Sequence, residues 1–210
     1  ADHHAMTFRP GNSNQAIFGT DGGIYYASSL STAQNSNVIS ARNNNYNVTQ
    51  FVKAGIGPDG NGDTTGIFSA GAQDNGTQAF KNAIAGINSS TELSDGDGFY
   101  TFVDKDGQYM IATFVNNVIY RFNLPWNGLG RRQGGATTLL SSQTTGDFVN
   151  QMGYDSDANR LLTNYSSGSS FSIRSINVAA NNSGTLSNAA LNAKPTAFRA
   201  SPWLGRSWSW

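Results

Sequence analysis

A strand-turn-strand phrase that returns with a period of 48 residues most narrows what this chain can fold into. Between Ala5 and Ser29, two apolar β-type runs, Met6 to Phe8 and Ala16 to Phe18, flank a Pro-Gly-Asn turn. A glycine-rich turn then leads into a third run, Ile24 to Tyr26. Pro10 and Pro58 lie 48 residues apart, and Pro58 and Pro202 lie 144 apart, three such periods. The intermediate steps land on Asp106 and Tyr154, beside the turns Asp104-Lys105-Asp106-Gly107 and Asp155-Ser156-Asp157-Ala158-Asn159. Apolar runs bracket both turns: FYTFV and YMIATF around the first, FVNQM and RLLTNY around the second. Several short strands per repeat, with no helical periodicity, are what propeller blades require.

The repeat predicts an all-β propeller of about four four-stranded blades, at residues 1–46, 47–94, 95–143 and 144–192, followed by the first strand of a fifth at 195–202. In the first blade the strands are expected at Ala5 to Phe8, Ala16 to Phe18, Ile24 to Ala27 and Val38 to Ser40. The second opens at Val48 to Phe51 and turns at Pro58 to Asp63, with Gly66 to Ala70 as its next strand. The third has its third strand at Asn117 to Phe122, and the fourth has strands near Phe148 to Met152, Leu161 to Tyr165, Phe171 to Ile176 and Thr185 to Leu186. Thr196 to Pro202 echoes Thr7 to Pro10, whereas Leu204 to Trp210 does not read as a second strand, so the array is expected to stop one strand into a new blade.

Composition narrows the chemistry. Thirteen basic and thirteen acidic side chains balance, so nothing in the composition points to an electrostatic surface for nucleic acid or anionic lipid. There is no cysteine, which removes disulfides, thiol nucleophiles and Cys-ligated zinc together. Charged residues are scarce beside Gly, Asn, Ser and Thr, a balance suited to a turn-rich protein outside the cell. No run approaches the length of a membrane span, and no basic-plus-apolar leader opens the sequence, so the chain is expected to be a processed product or a piece of a longer one. P-loop, dinucleotide, HExxH and GxSxG motifs are absent from the sequence.

Candidate site residues follow from blade geometry. An inner hairpin brings the start of its first strand and the end of its second to one rim of the channel. Asp2-His3-His4 and Asp95-Gly96-Asp97 precede first strands, and Asp21 and Gln73-Asp74-Asn75 follow second strands, so all four groups are expected at one mouth. Asp2, His3 and His4 are the candidate metal ligands, and Asp21, Asp74 and Asp97 the candidate catalytic carboxylates. Imidazole with carboxylate suits zinc, and oxygen ligands alone suit calcium. Such a metal lowers the pKa of a bound water toward ~7 and supplies hydroxide to an ester or phosphoester. The competing reading is turn chemistry, in which Asp caps its own backbone and Gly supplies positive φ. Alternation along a strand lets only one of His3 and His4 face the channel. Asp59 to Asp63 reads as a hairpin turn rather than a calcium loop, Arg131-Arg132 as a solvated loop, and Trp203, Trp208 and Trp210 as packing groups.

The runs AMTFRPGNSNQAIFGTDGGIYYAS, Asn47 to Phe51, GAQDNGTQ from Gly71 to Gln78, and SDGDGFYTFVD resemble secreted bacterial propellers of the sortilin-like or BNR class, over most of residues 1–125. The resemblance implies a propeller fold, secretion or display at a bacterial surface, type IX secretion and xyloglucanase-type relatives. The Asp-box that names the BNR class is absent after each third strand, and relatives carry more blades, so no glycosidase carboxylate pair is assigned. The function classes left are a metal-assisted hydrolase of small ester-type substrates, a noncatalytic glycan- or protein-binding module, and a glycosidase-related fragment. Exposed blade edges lead to the expectation of a homodimer that closes the ring.

Overall fold

The computed structural model describes the chain except residues 1, 45–48, 62–65, 87, 179–185, 201–207 and 210, and except the side chains of 186, 199, 200, 208 and 209. It divides into two compact units, residues 1–50 and 51–210.

The first unit is one antiparallel meander: β1 (His3–Arg9), β2 (Asn12–Thr20), β3 (Gly23–Ala27) and β4 (Ile39–Ala41), paired in that order. The register sets Met6 opposite Phe18 and Phe18 opposite Tyr25, with Phe8, Ala16, Ala27 and Ile39 in the adjoining row. Directly opposed residues share a face, so one side of this sheet is apolar from edge to edge. Ala16 and Ala27 are its buried centre, whereas β1 is exposed along its whole length.

The second unit holds three more meanders of the same order. These are β5 (Lys53–Gly57), β6 (Ile67–Ala72), β7 (Gly76–Lys81) and β8 (Thr91–Ser94); then β9 (Thr101–Val103), β10 (Tyr109–Thr113), β11 (Asn117–Asn123) and β12 (Ala136–Ser142). The last comprises β13 (Met152–Asp155), β14 (Arg160–Asn164), β15 (Phe171–Asn177) and β16 (Leu186–Leu191). Four four-stranded antiparallel sheets are therefore present, the blade pattern the repeat predicts, and the described residues hold no α-helix. Each first hairpin turns on a side chain that caps its own loop. Asn14, Asn61, Asp106 and Asp157 donate their backbone N–H groups to Asn12, Asp59, Asp104 and Asp155, which lie 47, 45 and 51 residues apart.

β10 and β11 of the third sheet are buried on both faces, which is why they read as largely apolar runs. Met110, Ala112, Val118 and Phe122 pack with Ile67, Ala79 and Leu93 of the second sheet, and Trp126 closes that layer. Tyr109, Ile111 and Ile119 face the other way, onto Met152, Leu161 and Ile176 of the fourth sheet. Fully burying a side chain of this size stabilises by roughly 1.5–3 kcal/mol, and these two layers bind the sheets of the unit together.

Several details differ from the sequence reading. The first strand of the second sheet is Lys53–Gly57, and residues 49–51 of the Val48 to Phe51 run expected to open it lie in no strand. The inner strand of the fourth sheet begins at Met152, not Phe148, because Asn150 is drawn into a buried hydrogen-bond cluster while Phe148 is half exposed, edge-on to Phe99. After Arg199–Ala200 (β17) the chain pairs again, with Trp208–Ser209 (β18), where no second strand was expected. Val48, Asp63, Thr185, Trp203 and Trp210 lie outside the described residues.

Candidate functional site

In the first unit the hairpin geometry brings Asp2, His4 and Asp21 together. β1 and β2 pair with His3 opposite Thr20, so the residues just beyond meet at the sheet end. Asp21 N–H donates to the Asp2 carbonyl at 3.2 Å, and Asp2 N–H donates to Asp21 Oδ2 at 3.3 Å. His4 Nε2 meets Asp21 Oδ1 directly. His3 turns its ring the other way, edge-on to Phe18 with centroids 6.2 Å apart, as alternation along the strand requires. An imidazole held by a carboxylate is an oriented acid-base pair and supplies two donors toward a cation. A catalytic zinc site takes three protein ligands. Among the described residues no group of three or more His, Cys, Asp or Glu side chains is placed to hold a metal.

In the second unit Asp74 and Asp97 meet as a turn staple. Asp74 occupies the β6–β7 turn at φ 60°, and its N–H donates to Asp97 Oδ1 at 3.0 Å. Two backbone bonds flank this contact, Gly76 N–H to the Gly96 carbonyl at 2.6 Å and Gly98 N–H to the Ala72 carbonyl at 2.9 Å. Gly76 sits at φ +67° with its α-carbon against the Ser94 carbonyl, and a Cβ there lies well inside contact distance. The closeness of these backbones fixes Asp97 beneath the turn. Its carboxylate caps the backbone of the Asp74 turn rather than its own.

Asp95 has a different part. Arg131 and Arg132, on the 3-10 turn at Arg131–Gln133, both reach its carboxylate. The Arg132 guanidinium, seconded by Arg131, holds this carboxyl well below the usual carboxylate range against an opposing desolvation. Arg131 also lies over the Tyr120 ring, 5.3 Å from its centroid. The arginine pair read as a solvated loop is thus an ion-pair clamp, joining the loop before β12 to the end of β8. A cavity of about 280 Å³ adjoins it, lined by Glu92, Leu93 and Gln133 besides the clamp residues. Two cations and two carboxylates line it, so it favours neither sign of ligand.

A second cavity, of about 230 Å³, lies among the first strands of successive sheets in this unit, and among the described residues its lining holds no acidic side chain. Lys53 from β5, Tyr100 just before β9 and Phe102 within it, Gln151 just before β13 and Tyr154 within it, and Phe198 before β17 bound it. β5 packs against β9, and β13 against β17. Phe102 stands 6.1 Å from Tyr100 and 5.5 Å from Tyr154, centroid to centroid, so the rings form a continuous aromatic wall. Tyr100 Oη donates to Gln151 Oε1 at 3.0 Å. Burial pushes the phenols of Tyr100 and Tyr154 up, and both stay neutral at ordinary pH. The reading from turn residues missed this pocket. Its signal was the alternation in Tyr100-Thr101-Phe102-Val103, two aromatic rings on one face of a short strand.

No protein-family model matches this chain, and no curated protein matches it. In three dimensions it is similar to Chaetomium thermophilum Sqt1, solved bound to the N-terminus of the ribosomal protein L10, with a TM-score of 0.43 and 14% identity over 81% of this chain and 44% of that one. It is also similar to the tricorn protease, with a TM-score of 0.44 and 11% identity over 90% of this chain and 17% of that one. The chain thus spans less than half the length of either.

Proposed function

We propose that this chain is a noncatalytic binding module of the propeller class, which takes its ligand in the pocket bounded by β5, β9, β13 and Phe198. The observation that carries this reading is the aromatic wall of Tyr100, Phe102 and Tyr154, partly open to solvent in a concave site and met by a few polar groups. Apolar faces with sparse, placed polar atoms are the ordinary makeup of ligand pockets. The ligand class proposed is a glycan, whose rings present apolar faces to such an aromatic wall. An oligosaccharide array with the full chain tests it: bound glycans lose at least tenfold in affinity for Phe102→Ala with the β-sheet circular dichroism unchanged. Binding indifferent to both Phe102→Ala and Tyr100→Ala, or an array with no bound glycan, refutes it.

A metal-assisted hydrolase is the second reading, favoured by the His4–Asp21 contact alone. Those two side chains, with Asp2 beside them, are where zinc or calcium would be held, and a third ligand from outside the described set would be needed. Metal analysis of the purified protein with ester and phosphoester assays decides it: activity abolished by chelator and by His4→Ala supports it, and none in either state removes it. Homodimerisation to close the ring is proposed on the exposed β1 edge, and light scattering that returns a monomer eliminates it.

A further inference from the structure

The charge around the aromatic pocket narrows its ligand, an inference that rests on the binding reading above. Of the four lysines in the chain, Lys81 faces Asp59, Lys105 faces Asp106 and Asp157, and Lys194 faces Asp147. Lys53 alone among them meets no carboxylate among the described residues, and it borders a pocket that has no acid in its lining. Among the described residues, Lys53 thus stands as the one lysine without an ion-pair partner, in the lining that also holds the aromatic wall. A cavity of about 230 Å³ is small beside the roughly 300–1,000 Å³ of sites for drug-sized ligands, so it takes about one ring.

We infer that the pocket recognises a six-membered ring bearing a carboxylate, with the ring face against Phe102 and Tyr100, the carboxylate on Lys53, and a ring hydroxyl within reach of the Gln151 amide. Rings stack on aromatic side chains through their apolar faces, and the ammonium supplies the charge complement that selects an anion over its neutral analogue. Two sources offer this chemistry: a uronic-acid residue of an acidic glycan and a free aromatic acid. The absence of any carboxylate in the lining argues against a neutral sugar as the preferred ligand, because it leaves ring hydroxyls without a strong acceptor.

The test uses ligand-observed NMR and titration calorimetry on the full chain with methyl glucuronide, methyl galacturonide, methyl glucoside and benzoate. The expected result is binding of at least one acid, at least tenfold weaker binding of methyl glucoside, and weakening of the acid as salt rises. Lys53→Gln should cost the acid at least tenfold while Lys53→Arg retains it; folding of each variant is checked by its melting curve. Uronate binding without benzoate binding assigns the source to a glycan, and the reverse assigns it to a free aromatic acid. Equal affinity for glucuronide and glucoside, or an acid indifferent to Lys53→Gln, overturns the inference but leaves the binding reading standing if Phe102→Ala abolishes that affinity. No binding of any acid overturns it as well. Binding indifferent to both Phe102→Ala and Tyr100→Ala removes both.

Discussion

Asn117 gives the most demanding test of how the third and fourth sheets are joined. It opens β11 with no exposed surface, and its amide is satisfied entirely from elsewhere in the unit. Nδ2 donates to the Asn164 carbonyl at 2.8 Å and to Thr145 Oγ1 at 2.9 Å, and Oδ1 accepts from Asn150 Nδ2 at 2.9 Å and from Thr163 Oγ1 at 2.5 Å. Each such bond is worth about 0.5–1.5 kcal/mol net. Asn117→Ala removes four, yet most partners keep another bond: Asn164 O retains Asn150, Thr145 retains Ser142, and Asn150 Nδ2 retains Thr163. The expected loss is therefore in the lower part of the summed range, about 2–4 kcal/mol, or a midpoint lower by about 5–15 °C for a chain of this size. All four tryptophans lie beyond residue 50, so fluorescence during urea unfolding follows the unit that contains the network. Asn117→Asp preserves volume and acceptor but sets an oxygen against the Asn164 carbonyl, and it should destabilise at least as much. With Asn150→Ala the coupling should be about 1 kcal/mol, since the pair shares a bond. A loss below about 1 kcal/mol for Asn117→Ala, or a harmless Asn117→Asp, would show that packing alone holds the sheets together.

The remaining predictions concern the turns and the clamp. Asp95 has a depressed carboxyl pKa when folded, so the stabilisation it gives is fully present above the unfolded value of about 3.9 and is lost progressively as pH falls from there through the lower folded value. Wild type and Asp95→Asn should therefore differ most in urea midpoint at pH 6, with the difference narrowing below about pH 4 but not vanishing by about pH 3; a difference that stays constant from pH 6 down to about pH 2 contradicts the clamp. Gly76→Ala sets a Cβ against the Ser94 carbonyl at positive φ, and it should cost about 2 kcal/mol or more, read as a lowered melting temperature. A neutral outcome would mean that the backbones are not in contact. Asp104 is buried and accepts from Asp106 N, Gln108 N, Ser156 Oγ and Tyr154 Oη, so Asp104→Ala should cost about 3 kcal/mol or more in urea unfolding, with those donors stranded.

How much of this fold the sequence discloses depends on what kind of burial a strand undergoes. β10 and β11 were legible because both faces are covered by neighbouring sheets, so Met110, Ile111, Val118 and Ile119 leave an unbroken apolar run. The hairpin turns were legible because Asn12, Asp59, Asp104 and Asp155 cap loops through bonds made within the turn, and local chemistry survives in local sequence. β13 was misplaced for the opposite reason. Its approach, Phe148-Val149-Asn150-Gln151, looks like a strand, yet Asn150 is buried for its hydrogen bonds to residues 33, 13 and 14 positions away, which no periodicity records.

The candidate site divides along the same line. The meeting of Asp21 with Asp2 lies where the paired ends of β1 and β2 converge, and hairpin geometry finds it, whereas Asp97 meets Asp74 between two successive sheets. The same geometry explains why carboxylates gather there at all: a turn with unpaired N–H groups recruits acceptors, so clustered acids at a rim are a weaker sign of chemistry than their number suggests. The aromatic pocket has no such turn signature. Its residues come from β5, β9, β13 and the approach to β17, more than 140 positions of sequence from Lys53 to Phe198, and only stacking of sheets assembles them. What distinguishes Tyr100 and Phe102 from the core aromatics is that their strand neighbours Thr101 and Val103 are fully buried while they themselves stay partly open. β10 and β11 of that sheet are covered on both faces, so the partly open rings beside its inner strand are the surface on which the proposed ligand would lie.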